Sequence, residues 1–158
     1  MNRLPTIRAL LSLFMLGLIL SGITAFPLLD ELNLLCAILG VVDVREPAGY
    51  SGLAGWILTV REGLRETYMC FPFIAYGTDW LAFGHLTIAL FFIGPIIDPA
   101  RNLWVIRAGL IACVAVIPLA LICGPIRGIP IYWRLIDCSF GIFGFIPLWF
   151  ALKLTKRL

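Results

Sequence analysis

Only one histidine, His85, occurs in the whole chain. A haem held between two imidazoles is thereby excluded, and Ser12, Ser21, Ser51 and Ser139 share a single possible base. The five cysteines, Cys36, Cys70, Cys113, Cys123 and Cys138, contain no Cys-x-x-Cys spacing, so neither a metal site nor another cofactor is expected. Missing too are a Gly-rich phosphate loop, a Gly-x-Ser-x-Gly elbow, a His-Glu-x-x-His helix and a dinucleotide fingerprint. Charge is equally scarce. Charged residues make up 13% of the 158 positions and the net charge is +3, divided between termini and loops, which argues against a nucleic-acid partner. With 61% hydrophobic residues there is too little polar surface to cover an ordinary soluble domain, so the first partner implied is the lipid bilayer.

What is present is four long apolar runs, at residues 9–26, 80–97, 103–124 and 135–154. A helix needs about 20 apolar residues to cross about 30 Å of hydrocarbon, and each run approaches or meets that length. A transmembrane barrel would require many alternating segments of about ten residues, whereas these runs are continuous. The expected fold is therefore all-α: a polytopic integral membrane protein forming one domain over residues 1–158, a bundle of four transmembrane helices with a helical outer loop. The first run has a rival reading. Arg3 and Arg8, a Leu-rich stretch and Ile23-Thr24-Ala25 also suit a secretory signal peptide cleaved after Ala25. Its length and the bulk of Ile23 favour an intact first span.

Basic residues near the helix ends set the orientation. With the amino terminus inside, Arg3, Arg8, Arg101, Arg107, Lys153, Lys156 and Arg157 are cytoplasmic, against Arg45, Arg61, Arg65, Arg127 and Arg134 outside. Both termini are then cytoplasmic in a multi-pass protein of the cell (inner) membrane. Asp98 and Pro99 read as the cap and first residue of the third span. Residues 124–130, with Pro125 and Pro130, read as a stiff outer turn through which no helix runs. The outer connection, 27–79, should hold two short helices. Asp30 would cap one from Glu31 to Leu39, with Gly40 as its left-handed stop. In the other, Leu53, Trp56, Ile57, Val60, Leu64 and Tyr68 recur at helical spacing, and Arg61, Glu62, Arg65 and Glu66 take the opposite side.

The candidate polar residues cluster at the outer ends of the spans: Asp79, His85, Arg127, Arg134 and Asp137. His85 shares a helix face with Thr78, Ala82 and Ala89, whose small size invites a neighbouring helix. Asp79 lies about 120° around from it, which leaves the two unsuited to act as an acid and base on one face. Arg134 and Asp137, three residues apart, can pair on one face that Gly141 and Gly144 continue, and the Asp137 carboxylate is expected to be neutralised by Arg134 or Arg127. Cys36 with Cys70 is the pair to consider for a disulfide if the outer face is oxidising, and an inert pair of small apolar residues is the equal alternative. Three functions suit this pattern. The first is a non-enzymatic membrane subunit or accessory protein that contacts other membrane subunits or itself. A second is an outward-facing protein that binds or transports a small ligand, proton or ion as an oligomer. Third comes an outer-leaflet intramembrane enzyme using His85 or Asp137, which lacks a nucleophile or metal to complete it.

Overall fold

A computed structural model describes residues 3–41, 43–44 and 47–158. All regular structure among them is helical: α1 (Leu4–Ala25), α2 (Leu28–Ile38), α3 (Gly52–Cys70), α4 (Tyr76–Phe91), α5 (Ile93–Ile97), α6 (Leu103–Ile126) and α7 (Ile131–Thr155). Short 3-10 turns at Pro47–Gly49 and Pro72–Ala75 precede α3 and α4. Four stretches are long and apolar enough to cross a membrane: Leu4–Ala25, Pro72–Ile97, Leu103–Ile126 and Ile131–Thr155. The chain is an all-α, multi-pass membrane protein.

The helix boundaries follow local chemistry. Gly40 and Gly128 have φ of 71° and 69°, a region that residues with a Cβ rarely enter. Each ends its helix in the same way. The Gly40 and Val41 N–H groups donate to Ala37 and Cys36 carbonyls at 3.1 and 2.8 Å, and those of Gly128 and Ile129 donate to Pro125 and Gly124 at 3.1 and 2.9 Å. The break between α4 and α5 is caused by Pro95, which offers no N–H to the Phe91 carbonyl and crowds it with its ring.

Three boundaries that local motifs had suggested fall elsewhere. The α6 helix runs through Gly124 and Pro125 to Ile126, because a proline in the last turn leaves only one carbonyl without a donor while the Arg127 N–H still closes onto Cys123 and Gly124. It also starts later than Pro99. The Asp98 carboxylate caps a separate turn, accepting from the Arg101 N–H at 3.1 Å. Asn102 holds that turn by donating from Nδ2 to the carbonyls of Gly94 and Asp98 at 3.1 and 2.9 Å, so α6 begins at Leu103. Finally, α2 starts at Leu28, which places Asp30 and Glu31 inside the first turn, where their charge suits the helix dipole, rather than at the cap.

The described residues divide into two compact units: Met1–Ile19 with Thr87–Leu158, and Leu20–Leu86. In the first, Ile7, Leu11, Phe92, Ile106, Leu110 and Leu148 build a core to which α1, α6 and α7 all contribute. Phe92, placed at the α4–α5 break, meets the Phe14 ring with centroids 4.7 Å apart. The α6 and α7 helices approach at backbone distance: a Cβ on Gly141 would collide with the Cys113 carbonyl and lie 2.5 Å from Val116 Cγ1. In the second unit α2 packs on α3 through Leu32, Cys36, Ile57 and Leu58, all nearly or fully buried. There Gly22 of α1 faces the Ala82 carbonyl of α4 at 3.0 Å from where its Cβ would stand.

Candidate functional site

The second unit holds Asp79 and His85, and the first holds Arg127, Arg134 and Asp137. Asp79 is in the first turn of α4, half-buried, where the free N–H groups and the dipole favour a carboxylate. Two turns further on, His85 is also half-buried, and its Nδ1 lies 2.8 Å from the Leu81 carbonyl of its own helix. A carbonyl can only accept, so Nδ1 is the protonated nitrogen in this contact. The imidazole therefore finds its partner one turn back rather than on a second helix. Small neighbours do mark a contact as expected: Ala82 and Ala89 are buried.

Arg134 does not pair with Asp137. Among the described residues no ion pair joins them, although both are half-buried on α7 three residues apart. The reason lies across the hairpin. Gly124 of α6 leaves room that the Arg134 stem fills, with Cγ standing 2.7 Å from where a glycine Cβ would be, and Cδ closer still. Arg134 gains packing for its methylenes there. Its Nε is buried without an acceptor among the described residues, an uncommon condition for a guanidinium nitrogen. Arg127 caps the end of α6 with its backbone N–H, and its side chain is exposed. The five cysteines, Cys36 and Cys70 included, are free thiols, Cys36 buried and Cys70 exposed. Among the described residues no group of three His, Cys, Asp or Glu side chains could hold a metal.

Arg61 was not legible as a buried residue. Placed by the sequence reading on the polar side of α3, it is only 2% exposed, on the stripe formed by Ile57 and Leu58, one turn before it. Its Nε donates to Glu62 Oε1 at 2.9 Å and its Nη2 to the Val44 carbonyl, while Arg65 Nη1 approaches Glu62 Oε2 at 3.9 Å. The i+3 and i+4 spacing from Leu58 and Ile57 was the available signal. A second group lies at the end of α7, where Trp149, Leu152, Lys153, Lys156 and Arg157 line one recess. At the same end Arg3 donates to the Arg157 carbonyl at 2.9 Å, and Arg8 to those of Ile96 and Ile97 at 2.9 and 3.1 Å, satisfying last-turn carbonyls.

Fold and polar chemistry together define the class: a helical membrane protein whose polar residues fall in two separate units. Compared with protein-family models, curated proteins and solved structures, the chain matches none.

Proposed function

We propose that the chain is a non-enzymatic membrane subunit or accessory protein of the cell (inner) membrane, with both termini cytoplasmic, acting through contact with other membrane subunits or a second copy of itself. One observation carries this reading: polar side chains within and between the apolar helices are bonded to the chain's own backbone carbonyls. Arg8 is held by Ile96 and Ile97, His85 by Leu81, Asn102 by Gly94 and Asp98, and Ser139 by Ile136. Groups spent in this way serve assembly, since a polar atom in hydrocarbon must find a partner or raise the energy of the fold. His85→Gln tests the reading, because the amide keeps a donor and an acceptor but cannot titrate near neutral pH. The expected result is a folded protein that still complements a deletion strain. A folded variant that fails to complement would transfer the case to proton handling.

The alternative, an outward-facing binding or transport protein, is favoured by one feature: the buried Arg134 Nε, which has no acceptor among the described residues, with Asp137 one turn away. A small anion taken up there would lose binding in Arg134→Gln and not in His85→Gln. The orientation is checked by cysteine labelling, which should reach residues 99–102 and the carboxyl terminus only from the cytoplasmic side.

A further inference from the structure

We propose that the terminal turns of α7 form a binding site for an anionic glycerophospholipid, the lipid phosphate lying among Lys153, Lys156 and Arg157 and its glycerol and first methylenes against Trp149 and Leu152. These residues line a recess of about 230 Å³. Trp149, Leu152, Lys153 and Lys156 follow i, i+3, i+4, i+7 spacing, so one helix face passes from apolar to cationic over about 10 Å. That gradient matches an amphiphile with hydrocarbon at one end and a phosphate at the other.

The walls are fixed and the cations are available. Trp149 stacks on Phe145 with centroids 5.7 Å apart and planes 17° from parallel. Leu152, 9% exposed, belongs to the core. Among the described residues no carboxylate pairs with Lys153, Lys156 or Arg157; the acid of the α5–α6 turn, Asp98, faces Arg101 at 3.8 Å. The bond from Arg3 to the Arg157 carbonyl brings a further cation to the same end. Cations that served only to sit in water at a helix end would require neither the recess nor the stacked indole beside it. Because Trp149, Leu152 and Lys153 belong to a helix apolar enough to span the bilayer, the recess opens where headgroup and acyl chain meet.

Native mass spectrometry of the full chain in detergent, mixed with phosphatidylglycerol or with phosphatidylcholine of the same acyl chains, tests the site. Selective retention of phosphatidylglycerol is expected, weakened about fivefold in Lys156→Gln and in Lys153→Gln, and unchanged in Arg101→Gln, whose charge is at the α5–α6 turn. Melting temperatures without lipid show that the variants are folded. Equal retention of the two lipids, or an equal loss in Arg101→Gln, would overturn the site in favour of unspecific attraction. Displacement of the lipid by millimolar inorganic phosphate, with the phosphate itself retained, would also overturn it, assigning the cations to a free anion.

Discussion

The two compact units differ in charge as sharply as in packing. Residues 1–19 and 87–158 carry nine basic and two acidic side chains, a net of +7, whereas residues 20–86 carry three basic and seven acidic, a net of −4. The first unit is interlocked by small residues, with Gly141 against the Cys113 backbone and Gly109 under Phe92 and Leu148. The second includes the α2–α3 connection, where a buried arginine ties α3 to the preceding segment through Val44. This contrast has a physical basis. Lipid tails are as apolar as leucine, so spanning helices associate through close contact, while segments exposed to water can also draw on burial and on charge–carbonyl bonds.

That contrast can be broken most severely at Gly141. Gly141→Leu drives a side chain into the Cys113 carbonyl, which cannot move aside as a flexible chain would, and should destabilise the first unit by about 3 kcal/mol, read from unfolding in mixed micelles. A loss near zero would mean that α6 and α7 separate without cost.

Arg61→Ala comes next, at about 2 kcal/mol, since Glu62 is left half-buried beside it and the Val44 carbonyl loses its donor. Protease cleavage next to Val44 should rise in parallel. Unchanged cleavage would show that Val44 is held by something other than Arg61.

Gly124→Ala should cost about 1 kcal/mol, less than any change at Gly141, because the atoms it meets are the Arg134 stem, which can swing away. A loss as large as that for Gly141→Leu would show that the arginine is fixed in place.

The smallest effect expected is the coupling between Arg134 and Asp137. A double-mutant cycle with Arg134→Gln and Asp137→Asn should give less than about 0.5 kcal/mol, as two residues without a shared bond add independently. A coupling of about 2 kcal/mol would restore the ion pair that their spacing suggested.

Local patterns in the sequence determined the membrane class and the four spanning helices. Apolar run length and helical periodicity are properties of neighbouring residues, and the Gly40 stop is a property of one residue without a Cβ. The ends of helices were less legible, because Pro125 forbids only one hydrogen bond and the last turn of α6 tolerates that loss, while Asn102, by donating to the Asp98 carbonyl, holds a separate turn ahead of α6 and moves its start to Leu103. Tertiary structure alone decided where the charges went. Spacing along α7 offered Arg134 to Asp137, but Gly124 of another helix supplied a better bed for its methylenes; spacing from Ile57 and Leu58 already put Arg61 on the buried stripe of α3, but only the fold supplied the Val44 carbonyl that receives its guanidinium. A charged side chain has several partners within reach, and which one wins depends on elements that only folding brings beside it.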